Sequence, residues 1–159
     1  MIDEDMINKI TENLIASLKS NTLNLKVAKE IIAKAEQKAE EIKVAAVITI
    51  VDEGGNLVAV HRMDDSMLIS ISASFNKAYT AIALKMSTEQ LYDLVLPGKP
   101  FYGLESIEIG KICVFGGGIP IIKNGRFIGA IGVSGGTTEE DIAIAKYALA
   151  LHVFENKNC

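Results

Sequence analysis

Residues 111–136 read KICVFGGGIPIIKNGRFIGAIGVSGG and hold eight of the chain's 13 glycines. The stretch predicts three sheet strands: Lys111–Phe115, Ile119–Lys123 and Arg126–Val133. Asn124-Gly125 between the last two is a two-residue hairpin signal, because both residues tolerate φ > 0. Gly129 and Gly132 inside the last strand mark a bulge or a close approach by a helix. Two glycine-rich joints remain. One is Gly116-Gly117-Gly118 ahead of Ile119-Pro120, and the other is Ser134-Gly135-Gly136 ahead of Thr137. Glycine lets another group approach bare backbone, so these joints would line a ligand site if one exists. They would otherwise be tight turns and a helix start.

Outward from that stretch the chain alternates helical and strand periods. Thr137-Thr138-Glu139-Glu140 is a capping box. It opens a helix to about Phe154 that buries Ile142, Ala145, Leu149 and His152 or Val153. Upstream, Val44–Val51 is an apolar, β-branched run, as in a strand covered on both faces. A turn at residues 52–56 returns the chain along Leu57–Met63, with Leu57, Ala59, His61 and Met63 on one face. Asp64-Asp65-Ser66 supplies N-cap chemistry for a helix to about Met86. Leu68, Ile71, Phe75, Ala78 and Ile82 mark its expected core stripe, and Ser70, Ser74, Lys77 and Ala81 form a second, small and polar stripe. Ser87–Gln90 is another capping box, opening a short helix to Val95, and residues 101–109 are an irregular link. Near the N-terminus, a helix from about Asn24 to Ile42 has Leu25, Ala28, Ile32, Ala35, Ala39 and Ile42 at helical spacing. Before it, residues 2–20 form an amphipathic helix with Met6 or Ile7, Ile10, Leu14 and Leu18 on its apolar face. The expected fold is α+β: a five-stranded, mainly antiparallel sheet with helices packed on it. Residues 1–20 form a separate terminal helix, and residues 21–159 form one domain.

Composition narrows the function classes. A chain of 159 residues, 49% hydrophobic, fits one globular domain. Net charge is −4 with no basic cluster, so nucleic acid is not an expected partner. No apolar run approaches a membrane span, and the acidic N-terminus does not resemble a secretory signal. With only Cys113 and Cys159 there is no disulfide framework. These features point to a cytoplasmic protein.

No metalloprotease, CxxC or phosphate-loop motif is present. Gly132-Val133-Ser134-Gly135-Gly136 has the outline of a nucleophile elbow. A base would have to come from His61 or His152, and Ser134 reads better as a hydrogen-bonding group at a strand end. The N–H groups of residues 135–138 could hold a carboxylate. Lys77 could pair with Asp64, Glu105 or Asp141, or face a ligand anion. His61 is the candidate metal ligand, with Arg62 beside it. No residue stands out as a catalyst.

Several pieces together resemble the GlcG/HbpS family of heme-binding and heme-degrading-type proteins, which includes the C-terminal domain of the propanediol-utilisation protein PduO. They are VDEGGNLVAVHRMDDS (51–66), FNKAYTA around Lys77, FYGLE (101–105), VFGGGIPI (114–121) and NGRFIGAIGVSGGTTEEDIAIA (124–145). The resemblance implies a profilin-like or PAS-like sandwich and self-assembly from dimer to octamer. It also implies a tetrapyrrole ligand: heme, with a corrinoid such as cobalamin as the second choice. The implied ligand-binding set is His61, Arg62, Lys77, Gly116, Gly117, Gly118, Pro120, Ser134 and Gly135, with His61 on the metal. The first two helices contain no histidine to serve instead. The adenosyltransferase domain fused to the PduO version is not within these residues, so corrinoid adenosylation is not expected of this chain. Residues 1–20 are similar to the encapsulation peptides that bind shell proteins of bacterial microcompartments. Three functions follow as expectations: a tetrapyrrole-binding accessory protein, an enzyme on a small carboxylate held by the glycine joints, or an interaction module with a vestigial pocket.

Overall fold

The structure is a computed structural model that describes residues 3–20 and 22–150. The elements are α1 (Glu4–Ser20), α2 (Leu25–Glu41), β1 (Val47–Asp52), β2 (Leu57–Arg62) and α3 (Ile69–Leu84). They continue with α4 (Thr88–Val95), β3 (Gly118–Lys123), β4 (Arg126–Ser134) and α5 (Thr138–Ala150). The described strands form one antiparallel sheet of four, in the order β2-β1-β4-β3.

The sheet has four strands and not five because Lys111–Phe115 is not a strand. Its start is tied to Glu108 and to α3 instead: the Lys111 N–H donates to the Glu108 carbonyl at 3.0 Å, and Thr80 Oγ1 donates to the Lys111 carbonyl at 3.5 Å. Asn76 donates to the Gly110 carbonyl at 2.8 Å, and the Cys113 N–H donates to Thr80 Oγ1 at 2.9 Å. With those groups satisfied in this way, no ladder forms. The strand begins only at Gly118, after Gly117 turns the chain at φ +116°.

Helices cover both faces. Ile48 and Ile50 of β1 and Ile131 and Val133 of β4 pack with Ala28, Ile32 and Ala35 of α2 and Ile144 and Ala148 of α5. On the opposite face, Val51 and Ala130 pack against Ala78, Ala81 and Ile82 of α3. Each buried isoleucine contributes about 1.5–3 kcal/mol. Ala78 and Ile82 of the expected α3 stripe meet the sheet, but its N-terminal half does not. Ser70, Ser74 and Lys77 are buried, while Leu68 and Ile71 are 76% and 40% exposed. The reason is spacing. A Cβ on Gly132 would overlap the Ser74 carbonyl, and one on Gly118 would overlap the Lys77 carbonyl. The helix lies so close to the strands that small hydroxyls fit there and leucines do not. Thr49 and Ser74 hydroxyls meet at 2.8 Å in this seam.

Local chemistry explains most boundaries. Asn24 caps α2 by accepting the Val27 N–H at 3.0 Å. Ser87 and Gln90 form the capping box of α4. In the other box, the Thr137 N–H donates to Glu140 Oε2 and the Glu140 N–H donates to Thr137 Oγ1. Asn124 and Gly125 both adopt positive φ, as a two-residue hairpin requires. Asp64-Asp65-Ser66 does not cap α3. Asp65 turns at φ +64°, Ser66 bonds Arg62, and the helix starts at Ile69 without a side-chain cap. A bulge in the β1–β2 ladder sets Leu57 opposite Val51, out of step with Ala59, so Leu57 leaves the face it was expected to share. Leu25 is exposed, and Ile31 joins the α2 core stripe.

Candidate functional site

The two glycine joints meet around one buried ion pair. Lys77 Nζ donates to Asp141 Oδ2 at 2.7 Å and to the Val133 carbonyl at 2.9 Å. Both residues are almost fully enclosed, at 4% and 3% exposure. Asp141 Oδ1 accepts the Gly136 N–H at 3.0 Å. The Val133 N–H donates to the Gly117 carbonyl at 3.0 Å, and the Gly118 N–H donates to Thr88 Oγ1 at 2.9 Å. A Cβ on Gly117 would come within 2.7 Å of the Val133 carbonyl and 3.1 Å of Lys77 Nζ. The ammonium therefore ties α3, the end of β4 and the start of α5 into one knot beneath the Gly116–Gly118 turn. Burial pushes the Asp141 carboxyl above its ordinary range, and the Lys77 ammonium pulls it back in part. Burial likewise pushes the Cys113 thiol up.

This knot leaves little for an external anion to bind. Of the partners considered for Lys77, Asp141 is the one it meets, and the ammonium faces inward. The N–H groups of Gly136 and Thr137, part of the expected carboxylate site, already bond Asp141 and Glu140. Ser134 Oγ donates to Ser70 Oγ at 3.3 Å inside the α3 seam. No described histidine stands near it, so the elbow has no base there. His152 lies outside the described residues.

His61 and Arg62 sit elsewhere. They belong to β2, at one edge of the sheet, whereas Gly118 and Pro120 belong to β3 at the other edge, with Gly116 and Gly117 leading into it. Three strand spacings separate the edges, roughly 14 Å. His61 pairs with Ile48 and leans toward α2, where its Nδ1 lies 2.8 Å from Glu36 Oε1. Arg62 turns the other way, donating from Nε to Ser66 Oγ at 3.3 Å and from a terminal nitrogen to the Ser66 carbonyl at 3.2 Å. Arg62 and Lys43 also line an open depression of about 500 Å³ with Glu40 and Asp64. The residues named from sequence thus fall into two groups. Lys77, the glycines and Ser134 cluster; His61 and Arg62 form a second locus.

Two further grooves flank the glycine turn. One, of about 590 Å³, is lined by Phe115, Gly116 and Ile142 together with the acidic Glu89, Asp93 and Glu139. The other, of about 440 Å³, runs along the sheet edge past Pro120 and Phe127, with Lys85 and Lys146 beside it. Among the described residues, no group of three His, Cys, Asp or Glu side chains converges to hold a bare metal ion. No described helix is long and apolar enough to cross a membrane. Sequence reasoning missed Glu36 entirely, since nothing local links it to a histidine 25 residues away. It weighed Asp141 only as one partner among three.

Comparison with known proteins matches this architecture to a family. Residues 23–150 match the model described as "Haem degrading protein HbpS-like". A 15.0 kDa protein of the dhaT-dhaS intergenic region of Citrobacter freundii is 47% identical over 128 residues, covering 80% of this chain and 90% of that protein. The corrinoid adenosyltransferase PduO of Citrobacter freundii is 36% identical over 153 residues, covering 92% of this chain but 46% of that protein. The chain thus spans about half the length of that relative. Among solved structures, the crystal structure of a PduOC:heme complex superposes with a TM-score of 0.79 at 39% identity, covering 81% of this chain and 94% of that one. The chain is a member of the HbpS-like family, to which the sequence resemblance had pointed.

Proposed function

We propose that the chain is a heme-binding accessory protein of the PduO C-terminal type, with His61 as the axial ligand. The observation that carries this reading is the state of the His61 ring. Its Nδ1 is engaged by Glu36, its Nε2 has no hydrogen-bond partner among the described residues, and its side chain is 45% exposed. A metal-binding imidazole needs one free nitrogen and one anchored nitrogen, so the ring present fits the group. Bound there, heme would supply a redox-active iron. Arg62 would meet a propionate, its guanidinium being only partly used by Ser66. Lys77 takes no direct part; it holds the glycine turn from below. The similarity to a protein crystallised with heme supports heme over a corrinoid.

Adding heme to the purified chain should produce a shifted Soret band, which His61→Ala abolishes and Arg62→Ala weakens. Flat absorbance with both heme and cobalamin would end this reading.

The small-carboxylate enzyme is the weaker alternative, because the N–H groups it needs are occupied internally. Self-association belongs to the same proposal, supported by apolar side chains that a single chain leaves bare. Leu68, Ile69, Ile107 and Ile109 are 76%, 67%, 75% and 90% exposed. Residues 1–20 form the second part of the proposal, as a segment that docks to a microcompartment shell. Met6, Ile7, Ile10 and Leu14 of α1 are all exposed, so their apolar face is available to a partner. A fluorescent fusion lacking residues 1–20 should lose co-localisation with shell proteins; unchanged localisation would remove that part.

A further inference from the structure

α2 and β2 meet through a polar contact that fixes how His61 can act. His61 Nδ1 lies 2.8 Å from Glu36 Oε1. A carboxylate can only accept, so Nδ1 carries the proton and donates it. In the neutral tautomer that this donation selects, the lone pair is on Nε2, which has no hydrogen-bond partner among the described residues. Both ends of the contact are held by rigid elements. Glu36 lies in mid-helix, beside the buried Ile32, Ala35 and Ala39. His61 is fixed by its ladder position opposite Ile48. Neither ring rotation nor a tautomer change is possible without breaking the bond. The pair is also half-shielded, with side chains 45% and 31% exposed, so solvent weakens the carboxylate's field only in part.

We infer that Glu36 is a positioning residue for heme at His61: it sets the tautomer and ring plane, and its charge makes the site favour ferric over ferrous iron. This rests on the reading of His61 given above. A carboxylate on the far nitrogen makes the imidazole a stronger donor. A fixed negative charge close to the iron stabilises the oxidation state of higher positive charge. The two effects point the same way. By linkage, tighter binding of ferric heme than of ferrous heme must appear as a lowered reduction potential of the bound iron. A plain surface ion pair predicts none of this, since such a contact contributes only about 0–1 kcal/mol to stability and nothing to iron chemistry.

The experiment uses the full chain and three substitutions at one site. Hemin is titrated into wild type, Glu36→Ala, Glu36→Gln and Glu36→Asp, with His61→Ala as reference. Ferric affinity, Soret position and reduction potential are read for each. Glu36→Ala should weaken ferric heme binding about 10–100-fold, the usual effect of losing such a partner. Glu36→Gln keeps an acceptor but loses the charge; its Soret position should stay near wild type while its potential rises. Glu36→Asp keeps the charge and should hold the potential close to wild type. Melting temperatures should barely move across the set. If His61→Ala loses heme while the Glu36 variants match wild type in affinity and potential, the inference falls and the His61 reading stands. If His61→Ala binds heme as wild type does, the His61 reading falls and the inference with it.

Discussion

Lys77→Met should be among the most damaging single substitutions in the domain. It removes the cation and leaves the Asp141 carboxylate enclosed with only backbone N–H partners. Breaking a buried pair in this way costs about 3–5 kcal/mol. A typical domain has only about 5–15 kcal/mol of stability in all. The expected drop in melting temperature is about 6–20 °C for a chain of this size, read by calorimetry. The loss should also depend on pH in a defined direction. Burial already raises the Asp141 carboxyl in the presence of Lys77, and without the ammonium it rises further. The native state of the variant then binds a proton more tightly than the unfolded chain does. Its stability therefore falls as pH rises from the unfolded carboxylate value of about 3.9 through the raised native value. Relative to wild type, Lys77→Met should be worst at neutral pH and recover on acidification. Lys77→Met combined with Asp141→Leu should be more stable than Lys77→Met alone, because the orphaned charge is gone. A variant whose deficit is the same at pH 4 and pH 7 would show that Asp141 is not the residue left stranded.

Gly132→Ala should be comparably severe, for a steric reason. The added methyl would meet the Ser74 carbonyl and the Ala78 N–H, both backbone groups of α3. A flexible side chain could swing aside, but a helix backbone held by Thr49, Ser134 and Val133 cannot. Overpacking a core usually costs about 1–3 kcal/mol, and this case belongs at or above the top of that range. Gly125→Ala makes the useful control. Gly125 has positive φ but nothing within 4 Å of the added methyl. It should cost only the backbone strain, about 1–2 kcal/mol. Equal losses at the two positions in denaturant unfolding would refute the close-approach explanation.

The legible part of this fold was whatever local chemistry decides. Capping boxes at Ser87 and Thr137, the Asn124-Gly125 hairpin and the apolar run of β1 were all readable, because each depends on neighbours within a few residues. Gly132 was readable as a sign of close packing but not of what it would do to α3. The small polar stripe of Ser70, Ser74 and Lys77 was set apart from the core stripe expected at Leu68, Ile71, Phe75, Ala78 and Ile82. It is the inner face, since the glycines of β3 and β4 bring the helix too near for larger groups. Lys111–Phe115 has strand composition, yet Glu108 and α3 side chains take backbone bonds at its start. The site divided along the same line. Lys77 and the glycine joints were named together and do cluster. His61 and Arg62 were named with them but lie at the other edge, because strand order is a long-range property that one sequence does not display. Glu36 carried no local mark at all.

The sheet order has a consequence for how the chain is made. The two central strands, β1 and β4, come from opposite ends of the domain, with Val47 paired to Ser134. During synthesis, β1 and its hairpin partner leave the ribosome long before β4 exists. Until then one side of β1 is bare, and α2 has only half of its apolar bed. Pairing over so long a loop is slow compared with hairpin closure. The nascent domain therefore waits, with sticky apolar surface showing, for the last strand of its sheet. Any partner that engages α1 early would be holding a chain that has not yet closed its sheet.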